Sequence, residues 1–156
     1  LFRTIVYRNI VEGTEHLALV KGDVNTGDPV LVRMHAFNIF DDIYSAEKTL
    51  ELHRAMDLIA QEGRGAIVMI RSGSETFLSD RVRQHLETKE TSEPQLREYG
   101  VGAQILSDLG VRKMVLLSNT HRSIIGLEGH DLEITEQRPI TMLKEHGIPV
   151  RDTFYG

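Results

Sequence analysis

Arg33 and His35 stand two residues apart in Val30-Leu31-Val32-Arg33-Met34-His35, so a strand there puts both on one face. Arg71 follows the apolar run Ala66–Ile70, and Ser118 and Asn119 follow the apolar run Met114–Leu117. The carboxyl ends of strands in an open α/β sheet are where such folds bind ligands. If these strands are neighbours, their ends form one polar, cationic rim suited to a phosphate group. Arg97 adds a cation near the start of a helix, where N–H groups and the helix dipole favour an anion. The competing reading is that Arg33 and His35 face solvent.

Other chemistry has less support. The 7 histidines, at 16, 35, 53, 85, 121, 130 and 146, include no pair at helical i, i+4 metal-ligand spacing. With 0 cysteines the chain has neither disulfides nor thiolate ligands, so no metal or cofactor is expected. Asp41-Asp42 could meet a divalent ion, but paired acids in a loop are ordinarily solvated. There is no Gly-x-Ser-x-Gly nucleophile motif. Gly63-Arg64-Gly65 is too short for a phosphate loop and reads as a helix C-cap.

The elements that must carry these residues follow from hydrophobic periodicity. Short strands are expected over 4–7, 16–20 and 30–35. Ser45 is placed to cap a helix running to Glu62, with Leu52, Ala55, Met56 and Ile59 as its apolar stripe and Gly63 as its stop. A buried strand follows over 66–70, which makes a right-handed βαβ unit with a parallel pair. Ser79–Glu90 reads as a short polar helix, and Pro94 suits the first turn of the next one. Ile105, Leu106 and Leu109 form a second apolar stripe, ended by Gly110. The run 114–117 is a covered strand, 132–135 a half-exposed one, and 141–146 a final short helix. The fold class is therefore α/β, with a mixed, partly parallel sheet flanked by helices.

With 156 residues the chain makes a single domain over 1–156. A domain of this size buries roughly 70% of the surface its unfolded chain exposes, so it needs no covalent staples. The net charge of −5 argues against non-specific nucleic-acid binding. No apolar run is long enough to span a membrane, and a cytoplasmic location is the expectation. Because the first residue is Leu1, the chain is expected to be a fragment that lacks an upstream domain.

Five stretches together resemble the GTP cyclohydrolase II family, which opens the imidazole ring of GTP in riboflavin biosynthesis. They are Glu15-His-Leu-Ala-Leu-Val-Lys-Gly-Asp23, Val30–His35, Leu58-Ile-Ala-Gln-Glu-Gly-Arg-Gly65, Arg97–Asn119, and Gly126 through Ile140. The resemblance is to proteins in which this domain follows a 3,4-dihydroxy-2-butanone 4-phosphate synthase domain. It implies a GTP cyclohydrolase II-like fold and a homodimer, with GTP or another phosphorylated small molecule as ligand. It also implies Arg97 as catalytic residue toward the phosphate, and Arg33, His35, Arg71, Ser118, Asn119 and Arg122 as substrate-binding residues.

The departures fall on the family's chemistry. The family holds zinc through three cysteines; here the first position reads Asn38, and the motif with the other two is replaced by Ser45-Ala46-Glu47-Lys48. The family's Arg-Gln-Glu-Gly-Arg loop survives only as Arg71 followed by Ser72-Gly73-Ser74-Glu75. Its Asp-x-Arg pair reads Gln95-Leu96-Arg97, and glutamine cannot accept a proton. Its Thr-Asn-Asn-Pro-x-Lys motif reads Ser118-Asn119-Thr120-His121-Arg122-Ser123, without the lysine. The expectation is a catalytically degenerate domain with a structural or regulatory role. The alternatives are a nucleotide-phosphate hydrolase or cyclohydrolase of zinc-independent chemistry, and a phosphometabolite-binding module.

Overall fold

The computed structural model describes residues 1–37, 46–71, 78–80, 82–83, 93–119, 127 and 130–140, without the side chains of 46–48 and 93–97. Its strands in chain order are β1 (Arg3–Arg8), β2 (Glu15–Lys21), β3 (Val30–Ala36), β4 (Gly65–Ile70), β5 (Lys113–Leu117) and β6 (Glu133–Arg138). Helix α1 (Ala46–Glu62) joins β3 to β4, and α2 (Glu93–Asp108) lies between β4 and β5. Residues 78–80 and 82–83 are also helical. Asn38, Asp41-Asp42, Ser45, Arg122 and the helix expected over 141–146 lie outside the described residues. Among the described residues, no helix is long and apolar enough to cross a membrane.

The sheet order is β1-β2-β4-β3-β5-β6. β3 and β4 pair in parallel, as the βαβ reading requires, and β5 and β6 continue the parallel set. β1 and β2 are antiparallel to each other, and β2 is antiparallel to β4. The mixed α/β class therefore holds. β6 runs three residues further than expected, because its pairing with β5 continues to Leu117↔Arg138.

Residue parity assigns the two faces. Val30, Val32 and Met34 of β3 join Ala66, Val68 and Ile70 of β4 beneath Ala103 and Leu106 of α2. Leu31 and Ile67 face the other way, against Ala55 and Ile59 of α1. Each fully buried side chain of this size stabilises the fold by about 1.5–3 kcal/mol. Both faces of β3 and β4 are covered, which explains their unbroken apolar runs.

Two glycines set how the helices sit. At Gly110, φ is +88°, and the Val111 N–H donates to the Leu106 carbonyl at 3.1 Å, closing α2 as its sequence predicts. Gly102 lies on the sheet side of α2, where an added Cβ would overlap the Met34 thioether end and reach Ile70 Cδ1 at 2.8 Å. The missing side chain lets the helix approach β3 and β4 closely.

Candidate functional site

β4, β3 and β5 are neighbours and point the same way, so Arg71, His35, Ser118 and Asn119 do meet at one sheet edge. The alternative in which Arg33 and His35 face solvent is corrected. Both lie on the α1 face with Leu31, where the helix covers them; His35 is 5% exposed.

Arg33 is engaged from two sides. Its Nη1 donates to the Leu117 carbonyl at 3.2 Å, and its Nη2 meets Glu51 Oε2 at 3.2 Å. The two side chains are 12% and 8% exposed, so this ion pair is shielded from solvent. Burial lowers the Arg33 pKa from its ordinary value, and the Glu51 carboxylate opposes that shift. Arg33 Nε is buried with no partner among the described residues. The other oxygen of the same carboxylate, Glu51 Oε1, accepts from Asn119 Nδ2 at 3.2 Å. Asn119 Oδ1 in turn accepts the Ile140 N–H at 2.8 Å. Ser118 is buried, and its N–H donates to the Arg138 carbonyl at 3.0 Å. One glutamate of α1 thus ties β3 to the segment after β5.

The expected rim is therefore divided. Arg33, Ser118 and Asn119 are held by internal contacts, His35 is buried, and Arg71 is exposed at the mouth. Arg97 lies in α2, with its side chain outside the description. Glu51 was not singled out from sequence. It nevertheless stands at i, i+4, i+8 with the buried Ala55 and Ile59, and an acid in that stripe is the signal that marks it.

On the other face, His16 was missed in the same way. It is 4% exposed. Its Nδ1 accepts the Arg71 N–H at 3.1 Å, so the neutral ring carries its proton on Nε2. That Nε2 is buried without a partner among the described residues. A buried unsatisfied donor costs about 1–3 kcal/mol. Burial is the main cause that pushes the His16 pKa below its ordinary value; Glu12 opposes this and Arg71 adds to it. Nearby, the Tyr7 hydroxyl donates to Asp108 Oδ2 at 2.8 Å. Burial, and then this bond to a carboxylate, push the Tyr7 pKa up to about 12.

The three-cysteine zinc site that the resemblance implies does not fit this chain's side chains. The chain has 0 cysteines, and among the described residues no three His, Asp or Glu side chains converge.

Comparison with known families defines the class of this chain. Residues 1–139 match the model of GTP cyclohydrolase II, and the chain belongs to that family. Similar proteins include riboflavin biosynthesis proteins. The RibBA protein of Bacillus mycoides is 40% identical over 156 residues, which cover 90% of this chain and 39% of that protein. The RibBA protein of Bacillus subtilis is 43% identical over 162 residues, covering 93% and 41%. The chain spans about two fifths of the length of these curated relatives. A solved esterase domain from a Rhodothermus marinus protein overlaps 80% of this chain at TM-score 0.39 and 13% identity, too loose a likeness to bear on fold or function.

Proposed function

We propose that this chain is a GTP cyclohydrolase II domain that has lost zinc-dependent ring opening. It serves a structural or regulatory role beside a 3,4-dihydroxy-2-butanone 4-phosphate synthase in riboflavin biosynthesis. One observation carries this reading. The buried Glu51 carboxylate occupies both Arg33 and Asn119, two residues expected to hold substrate. A ligand phosphate would have to displace a carboxylate already paired in a shielded site, and burying a second anion there is costly. The sequence supports the same conclusion. The family resemblance implies a zinc held by three cysteines, which Asn38 and Ser45–Lys48 do not supply, and Gln95 stands where the family's proton acceptor would be.

The test is an assay of the purified protein with zinc and GTP, following formate and the diaminopyrimidine product. No product is expected. Formation of either compound at a rate above the zinc-only control overturns the proposal.

A second reading, phosphometabolite binding without turnover, is favoured by the exposed Arg71 at the mouth of the sheet edge. Calorimetry with GTP, flavin mononucleotide and ribulose 5-phosphate separates the two readings. Heat that disappears in Arg71→Ala supports binding; no heat with any of the three sinks it.

A further inference from the structure

The donors around Glu51 are fixed by contacts that do not involve it. Arg33 is anchored through Nη1 on the Leu117 carbonyl at 3.2 Å, and Asn119 through Oδ1 on the Ile140 N–H at 2.8 Å. Both anchors are backbone groups at the ends of β5 and just beyond β6, so strand register sets where the remaining donors stand. Arg33 Nη2 and Asn119 Nδ2 then converge on one carboxylate, each taking one oxygen at 3.2 Å. Only the acceptor comes from a helix: Glu51 is carried by α1.

The donor set is larger than Glu51 uses. Arg33 Nε is buried and has no partner among the described residues. Nε and Nη2 share one edge of the guanidinium, the edge that grips a carboxylate with two parallel bonds. Glu51, tethered to α1, engages that edge through Nη2 alone. A carboxylate free of the helix can take both donors and keep Asn119.

Shape and charge both select a carboxylate over a phosphate. The buried residues of this face include Leu31, Ala55, Leu117 and Ile140, all aliphatic. The further oxygens of a phosphate would lie among them without partners, which is unfavourable. One guanidinium balances one carboxylate, whereas a phosphate group carries more than one negative charge at neutral pH.

We propose that this strand-end cluster is a carboxylate-binding site acting as a socket for α1, with Glu51 as its resident ligand, and that a free small carboxylate takes the place of that side chain when it is shortened. The inference rests on the reading that Glu51 stands in for the family's ligand, and it names the ligand class that the site now accepts.

Glu51→Ala removes Cγ and the carboxylate, which are the heavy atoms of acetate. Its urea unfolding is followed in sodium acetate, phosphate, pivalate and chloride at equal ionic strength, beside the wild type and Glu51→Gln. Acetate at ten times its dissociation constant should raise the folding constant of Glu51→Ala about tenfold. The wild type and Glu51→Gln, whose sockets stay filled, supply the general effect of each salt. Pivalate has the same headgroup on a body too wide for the hole, and phosphate has the wrong shape and charge. Neither should act on Glu51→Ala more than on Glu51→Gln. In NMR spectra, acetate should shift the Asn119 side-chain amide of Glu51→Ala and leave that of Glu51→Gln in place. If Glu51→Ala is unfolded by itself, recovery of helical circular dichroism on adding acetate is the same readout. The proposal is overturned if acetate has no effect, if it acts alike on the Ala and Gln variants, or if phosphate matches it. Product in the zinc and GTP assay would instead sink the loss of ring opening, and the acetate result would still stand.

Discussion

The two faces of the sheet treat their polar side chains in opposite ways. On the α1 face, a cation, a carboxylate and an amide are gathered into one cluster: Arg33, Glu51 and Asn119 answer one another. On the α2 face, His16 satisfies one nitrogen on a backbone N–H and leaves the other buried without a partner among the described residues. The first face is where the family resemblance places ligand contacts, yet the protein supplies its own anion there. The second face drew no functional expectation, yet it holds the unsatisfied donor.

The contrast can be broken most directly at Glu51. Glu51→Ala leaves the Arg33 guanidinium buried without its carboxylate, and removing one partner of a buried pair costs about 3–5 kcal/mol. Urea unfolding should show a loss of that size. A loss below about 1 kcal/mol would mean that the pair behaves as a surface contact.

Gly102→Ala tests the scaffold that both faces share. The new methyl would meet the flexible ends of the Met34 and Ile70 side chains, which must shift; an overpacking cost of about 1–3 kcal/mol is offset by the roughly 0.8–1 kcal/mol that alanine gains over glycine within a helix, so a net loss of about 2 kcal/mol or less is expected. The same denaturation experiment reads it. An unchanged midpoint would show that the ends of Met34 and Ile70 move aside at no net cost.

Tyr7→Phe sharpens the comparison on the open face. It removes one hydrogen bond to Asp108, worth about 0.5–1.5 kcal/mol. Spectrophotometric titration of the wild type should find one tyrosine that resists ionisation until about pH 12 and is missing from the variant.

The smallest effect is the pH dependence contributed by His16. Its folded pKa lies below the unfolded value, so the unfolded chain takes up a proton first as pH falls. His16 therefore leaves stability intact above the ordinary histidine pKa of about 6.5 and erodes it below that value. Between neutral pH and about pH 5 the wild type should lose more stability than His16→Gln. An equal loss in both proteins would place the titration elsewhere.

Much of the framework was legible because it depends on local pattern. The stripe Leu52, Ala55, Met56 and Ile59 located α1, and Gly63 and Gly110 stopped both helices where the backbone turns to positive φ. The run Ala66–Ile70 announced a strand covered on both sides. What stayed hidden depends on strand register. The Arg33 Nη1 bond to the Leu117 carbonyl exists only because β3 pairs with β5 and not with another strand. His16 reaches the Arg71 N–H only because β2 runs antiparallel to β4 with Leu17 opposite Met69. No spacing within β2 encodes that meeting. Glu51 is intermediate: its stripe position was readable, but its two partners were not.

The strand order also sets a schedule for assembly. β1 and β2 are joined by a short turn and pair side by side, so they can form as soon as both are synthesised. The β3–β5 pairing brings together residues such as Arg33 and Leu117, 84 positions apart. Closing that longer loop costs roughly 2 kcal/mol more chain entropy than closing the hairpin. Parallel pairings of this range are slow. During that delay the hairpin presents an unpaired β2 edge awaiting β4. The centre of the sheet is thus the last part to become native, and with it the cluster around Glu51.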